Sequence, residues 1–123
     1  MQWFRGPGRR LPWPALVRVH GVSMQPTFDE GDVLLVVGGL PRPGVAIVAL
    51  PRDHHGQPRP PAVKRITSAP GEPGRWWVDS DNPSGVTSFD VGTLPDEAVL
   101  ARVVARVWPV RRTPIDPPAR PAR

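Results

Sequence analysis

Two residues of this 123-residue chain could act together as a nucleophile and a base. Lys64 is the single lysine among sixteen basic residues, and it lies in the apolar-flanked run PAVKRIT. A guanidinium stays protonated in proteins, whereas a lysine amine buried among apolar groups has its pKa lowered and can accept a proton. Ser23 lies in a turn-prone segment between Gly21 and Pro26, and a serine needs such a base to attack a carbonyl. The pair therefore predicts acyl-transfer chemistry of the serine–lysine type.

The segments that must position these residues are short and rich in valine. Glycine and proline bound each of them, which is typical of an antiparallel all-β domain, either a small sheet or a barrel. In one segment, alternation places Lys64 on a face with Ala62 and Ile66. The predicted strands are residues 16–20, 33–37, 45–50, 62–67, 75–79 and 99–108.

The chain divides into one domain with two basic ends. We predict a catalytic domain over residues 14–110, a basic segment rich in tryptophan and proline over 1–13, and a disordered tail rich in proline and arginine over 111–123. There is no cysteine, which excludes a disulfide framework and a thiolate nucleophile.

The net charge of +5 comes from the ends of the chain. Residues 19–100 carry six basic and ten acidic side chains, so the predicted core is acidic. A basic flank could contact a membrane surface, nucleic acid or an acidic protein, although solvated tails are the simpler interpretation. A nucleic-acid-binding β module is the main non-enzyme alternative, but the acidic core and the lack of a recognition motif argue against it, and we expect no nucleic acid partner.

The three histidines are weaker candidates for a functional role than Ser23 and Lys64. His54 and His55 follow Asp53 in a polar, proline-rich loop, and adjacent positions are poor metal chelators without distant partners, so we predict no metal site. His20 lies three residues before Ser23, and a structural role is favoured because a strand would turn its side chain away.

The chemistry-bearing segments resemble those of a known family. Gly-Val-Ser-Met-Gln-Pro-Thr, followed by Gly31-Asp32, resembles the nucleophile box of the type I signal peptidases and, less fully, of the self-cleaving repressors related to them. Val-Lys-Arg-Ile with Pro-Gly-Glu at residues 70–72 is similar to the family's general-base box, and VDSDNP at 78–83 to its last box. The resemblance implies a small all-β fold of that type, Ser23 as nucleophile, Lys64 as base, and no cofactor.

The resemblance also implies roles for neighbouring residues. The oxyanion and substrate pocket would include Gly21, Ser23 and Met24, with the Ser23 N–H as one donor. Gly21 replaces a serine that often supplies the second donor in the family. Arg65 and Asp81 match a structural ion pair.

The last box departs from the family's pattern. It is one residue short and lacks the expected Asp-Ser-Arg. Its serine that orients the lysine therefore has three candidates, Ser84, Thr87 and Ser88.

Within this family, the compact length and the segments LPRPGVAIVAL and ARVVARVWPV are most similar to the nickel-type superoxide dismutase maturation proteases. That similarity implies a cytoplasmic serine endopeptidase that removes an N-terminal leader peptide from the apo-dismutase precursor. Two alternatives remain open. One is a general signal peptidase-like protease that makes peripheral membrane contact through its basic N-terminus, and the other is a catalytically degenerate member.

Overall fold

In the computed structural model, which describes residues 2–3 and 14–109, eight strands form one antiparallel sheet. The predictions for 111–123 and for most of 1–13 lie outside the described residues. The sheet order is β1-β2-β3-β8-β4-β5-β6-β7, so β1 and β7 are edges and the sheet is open. The strands are β1 (Gln2–Trp3), β2 (Ala15–Arg18), β3 (Val33–Val37), β4 (Gly44–Val48), β5 (Ala62–Ser68), β6 (Arg75–Asp79), β7 (Leu94–Pro95) and β8 (Val99–Trp108).

All six strands predicted from the sequence form, and the all-β antiparallel prediction is confirmed. Of the two architectures expected, the described residues form an open sheet and not a closed barrel. The strand predicted at 16–20 ends earlier, because Val19 leaves the ladder and donates its N–H to the Asp32 carbonyl at the base of a loop. The pattern missed β1 and β7, since two-residue strands carry no alternation to recognise.

Among the described residues, helical structure is confined to two short pieces. The helix α1 (Ser88–Val91) has four residues, and a 3-10 turn covers Asp96–Ala98. Thr87 caps α1 in a capping box with Asp90, which explains why so short a helix forms. In the part of the chain that the structure describes, no helix is long and apolar enough to cross a membrane.

The sheet is buried on both faces around β4. Val45 and Ile47 of β4 pack into a first core cluster with residues of β2, β3, β8 and the loop after β2. Their neighbours Ala46 and Val48 pack into a second cluster with Ile66 and the β6 side chains Trp76 and Val78. Four consecutive buried residues in β4 follow from this two-sided burial, which a single exposed face would not permit.

The central position of β4 predicts a strong dependence of stability on its packing. Ile47 is fully buried, so Ile47→Ala should lower the free energy of unfolding by about 2–5 kcal/mol through lost burial and a residual cavity. Leu40 is 86% exposed, and Leu40→Ala should change the free energy of unfolding by less than about 0.5 kcal/mol. Urea denaturation of both variants measures the difference, and equal effects would contradict the packing described here.

Candidate active site

Ser23 lies in a loop, residues 19–32, that joins β2 to β3. The loop closes at its base, where the Gly31 N–H donates to the Val19 carbonyl at 2.8 Å. Gly21 has a φ of +84°, a conformation that favours glycine, and its N–H donates to Glu30 Oε1. This backbone conformation explains why a glycine stands two residues before Ser23.

The strand β8 fixes the far side of the same loop. Arg106 Nη1 donates to the Thr27 carbonyl at 2.7 Å and to Asp32 Oδ2 at 3.2 Å. The Arg106 and Asp32 side chains are 3% and 1% exposed, so the ion pair is buried. The Arg106 guanidinium also lies 5.4 Å from the centre of the Phe28 ring. The loop is therefore fixed to the sheet at several points, which holds the Ser23 turn in one geometry.

The Ser23 side chain is half-buried and chemically unengaged. Neither its hydroxyl nor its backbone N–H forms a hydrogen bond with any of the described residues. A free N–H beside a free hydroxyl is the arrangement that an attacking serine with its own oxyanion donor requires. The Gly21 N–H is used by Glu30, so it is not a free second donor.

Lys64 lies in β5, directly opposite Ala46 of β4, and is 3% exposed. The small Ala46 side chain leaves space on that face of the sheet for the lysine stem. Burial lowers the pKa of Lys64 from 10.5 to about 8, while the carboxylates of Asp79 and then Asp90 raise it. At pH 7 about a tenth of the amine is therefore neutral, far more than for an ordinary lysine.

One hydroxyl holds the lysine amine. Lys64 Nζ donates to Ser80 Oγ at 2.8 Å, and Ser80 Oγ donates to the Val86 carbonyl at 2.7 Å. A hydroxyl can donate only one hydrogen bond, and the Ser80 hydroxyl donates its bond to the Val86 carbonyl. Towards Lys64, Ser80 Oγ can therefore act only as a hydrogen-bond acceptor. The lone pair of the neutral amine is therefore not consumed by Ser80 and stays available for a proton.

The group that orients Lys64 is Ser80, so the prediction of Ser84, Thr87 or Ser88 for this role is wrong. None of the three predicted side chains bonds to the lysine. Ser84 Oγ donates to Asn82 Oδ1, Ser88 Oγ accepts from the Val78 N–H, and Thr87 caps α1. The physical reason is the pairing of β5 with β6.

The β5–β6 register explains this placement. Arg65 pairs with Asp79, and one further step brings Ser80 opposite Lys64 on the same face. The sequence signal was present, because the Pro-Gly-Glu-Pro-Gly turn at 70–74 defines a hairpin whose register can be counted.

Two residues that the sequence analysis did not assign join the halves of the site. Asn82 donates its backbone N–H to the Ser23 carbonyl at 2.8 Å and its side-chain amide to the Val22 carbonyl at 3.0 Å. Gly85 packs between the two serines, and a Cβ added there would lie 2.5 Å from Ser80 Cβ and 2.9 Å from Ser23 Cβ. Only a glycine permits this approach, which places Ser23 beside the residue that holds Lys64.

The predicted ion pair of Arg65 and Asp81 is present. It is bidentate, with Nε to Oδ1 at 2.9 Å and Nη2 to Oδ2 at 2.8 Å. Asp81 also accepts the Thr27 hydroxyl, so the pair links the β5–β6 hairpin to the Ser23 loop.

Met24 differs from its predicted place in a substrate pocket. It is 1% exposed, packs in the first core cluster, and its sulfur accepts the Asp81 N–H at 3.5 Å. A side chain buried to that extent anchors the turn after Ser23 and does not face a substrate.

None of the three histidines is hydrogen-bonded to Ser23 or Lys64. His54 and His55 are exposed in the loop between β4 and β5, with their ring centres 4.0 Å apart. Across the described ranges, no group of three or more His, Asp or Glu side chains could hold a metal ion. His20 is exposed and hydrogen-bonded or paired.

Comparisons of this chain with models of protein families, with curated proteins and with solved structures gave no match. The geometry of the site and the motifs of the sequence are therefore the grounds for a functional assignment.

The buried amine predicts a pH-dependent change in stability. The unfolded chain holds the Lys64 proton up to about pH 10.5 and the folded protein only up to about 8. Between these values the unfolded state binds more protons, so folding stability contributed by this group rises with pH. Lys64→Met should raise the free energy of unfolding by about 1–3 kcal/mol at pH 7, and the gain should shrink towards pH 10.5.

Denaturant unfolding of the wild type and of Lys64→Met at pH 7 and pH 10 measures this effect. The exposed Arg42 supplies a matched control, since Arg42→Met should show no such pH dependence. A gain from Lys64→Met that is the same at both pH values would contradict a perturbed lysine.

Proposed function

We propose that this protein is a serine endopeptidase in which Ser23 is the nucleophile and Lys64 the general base. The observation that carries the proposal is a buried lysine amine with a pKa lowered to about 8, fixed by Ser80 next to an unengaged serine hydroxyl. A structural lysine would be expected to pair with a carboxylate, whereas Lys64 Nζ bonds to a neutral hydroxyl.

The proposed reaction begins with proton transfer from Ser23 Oγ to neutral Lys64 as the oxygen attacks the scissile carbonyl. The Ser23 N–H donates to the oxyanion, and the Lys64 ammonium then gives its proton to the leaving amine. A water molecule activated by Lys64 hydrolyses the resulting ester and releases the second product. Ser23 and Lys64 are not hydrogen-bonded to each other in the free protein, and catalytic hydrogen bonds often tighten only when a substrate is bound.

The substrate that we propose is an N-terminal leader peptide of a protein precursor, bound as an extended strand. The motif similarity to nickel-type superoxide dismutase maturation proteases supports the apo-dismutase precursor in the cytoplasm as the substrate to test first.

The base assignment predicts how cleavage depends on pH. Only about a tenth of a lysine with a pKa near 8 is neutral at pH 7, so kcat/KM should rise with pH and level off above about 9. Asp79 raises the pKa of Lys64, so Asp79→Asn should move this rise to lower pH while keeping an oxygen that can accept the Ser80 N–H. The pH dependences of the wild type and of Asp79→Asn are both measured by monitoring precursor cleavage with mass spectrometry between pH 6 and 10.

Substitutions of the dyad test the chemistry itself. Ser23→Ala, Lys64→Ala and Lys64→Arg should each abolish cleavage, since a guanidinium cannot take the serine proton. Retained cleavage in Lys64→Arg would exclude Lys64 as the base.

The position of Ser80 predicts a contrast between two serines. Ser80→Ala removes the acceptor that aims Lys64, and kcat should fall by about 10–100-fold with little change in KM. Ser68→Ala is the matched control, because Ser68 is exposed at the last position of β5 and kcat should change by less than about twofold. Equal losses in both variants would show that Ser80 does not position the base.

A further inference from the structure

A cleft of about 620 Å³ opens beside the proposed dyad. One wall is the loop between β4 and β5, which contributes Arg52 and Arg59. The other wall is the segment around Gly85 and Val86, with Asp90 of α1.

The second wall connects the cleft to the catalytic residues. Gly85 packs against Ser23 and Ser80, and the Val86 carbonyl accepts the Ser80 hydroxyl. Asp90 is near enough to Lys64 to raise its pKa. A peptide that lies extended across Ser23 and continues past Gly85 would therefore place a side chain in the cleft.

The carboxylates of the cleft are engaged by backbone groups. Asp53 Oδ1 accepts the N–H groups of His55 and Gln57, both at 2.9 Å. Asp90 Oδ2 accepts the Thr87 N–H at 2.9 Å in the capping box. Both acids therefore stabilise local turns, and neither forms an ion pair with Arg52 or Arg59 among the described residues.

The two arginines keep most of their donors. Arg52 Nη1 donates to the Gly56 carbonyl at 2.9 Å, and Arg59 Nη1 to the Pro51 carbonyl at 3.0 Å. Neither guanidinium forms an ion pair with a carboxylate among the described residues. Each has five N–H donors in a planar fork that matches a carboxylate. Arg59 is half-buried and also faces the Arg52 carbonyl, which holds its fork in place.

We infer that this cleft is a specificity subsite that binds an acidic side chain of the peptide substrate, with Arg52 and Arg59 as its ligands. The inference rests on the proposed endopeptidase function for its place in the reaction. An aspartate or glutamate a few residues from the scissile bond would meet both guanidinium groups, and its desolvation would be offset by charge-assisted hydrogen bonds.

Cleavage specificity tests the subsite. The wild-type protein is incubated with a library of peptides from a denatured proteome, and the cleavage sites are identified by mass spectrometry. Asp and Glu should be enriched at one fixed position relative to the cleaved bond. The charge reversal Arg52→Glu should replace that enrichment by Lys and Arg, while Arg42→Gln, an exposed arginine outside the cleft, should leave it unchanged. Cleavage with no acidic preference, or a preference unaffected by Arg52→Glu, would overturn the inference and leave the protease function intact.

A binding measurement separates the cleft from the catalytic step. Fluorescein-labelled alanine–glycine peptides that carry three Glu or three Gln are titrated against Ser23→Ala at constant salt, with anisotropy as the signal. The Glu peptide should bind about tenfold more tightly than the Gln peptide. Adding Arg52→Gln and Arg59→Gln should remove the difference, and adding Arg42→Gln should keep it.

The two arms distinguish the possible failures. If the wild type cleaves no peptide in the library but the Glu preference depends on Arg52 and Arg59, the proposed function fails and the acidic-peptide site stands. Equal affinities for the two peptides in every variant would overturn the site. Thermal unfolding of each variant shows that a loss of preference does not come from a loss of folding.

Discussion

The burial of one lysine amine is the constraint around which this site is arranged. An ammonium group taken out of water costs about several kcal/mol, and no carboxylate of the described residues forms an ion pair with Lys64 to offset that cost. Its surroundings lower the pKa of the amine and give it one hydroxyl as a partner. Three neighbours meet the needs of that amine: Ala46 leaves space for it, the Ser80 hydroxyl accepts its hydrogen bond, and the Val86 carbonyl orients that hydroxyl. The same arrangement that tolerates a neutral lysine also leaves its lone pair available to accept a proton.

The site lies where two parts of the chain distant in sequence meet. The loop that carries Ser23 is fixed on the sheet by the buried pair of Arg106 and Asp32. The hairpin that carries Lys64 is joined to this loop through Asp81, which pairs with Arg65 and accepts the Thr27 hydroxyl. Asn82, the next residue, continues the junction to the turn of Ser23. Ionic and polar links thus connect the segments that carry the proposed nucleophile and base.

Much of the fold was predictable, because strands of five or more residues bounded by glycine and proline carry their own signal. The grouping of Ser23 with Lys64 was predictable from residue chemistry and motif order, and the structure brings both to one junction through Gly85 and Ser80. Ser80 was not predicted, because its position opposite Lys64 follows from the register of the β5–β6 hairpin and not from the motif. Met24 was misplaced since a single residue beside a nucleophile does not show which way it points. The cleft beside Arg59 depends on how the loop folds back, which no local pattern encodes.

The capping box of α1 has a consequence beyond the helix. Asp90 serves the backbone of Thr87 and also acts through space on the amine of Lys64. Its carboxylate is therefore shared between the local folding of four residues and the protonation equilibrium of the base. Thermodynamic linkage requires that fraying of this single turn alters the basicity of Lys64, and that protonation of Lys64 alters the stability of the turn. A substitution of Asp90 would therefore change the stability of this turn and the pKa of Lys64 together.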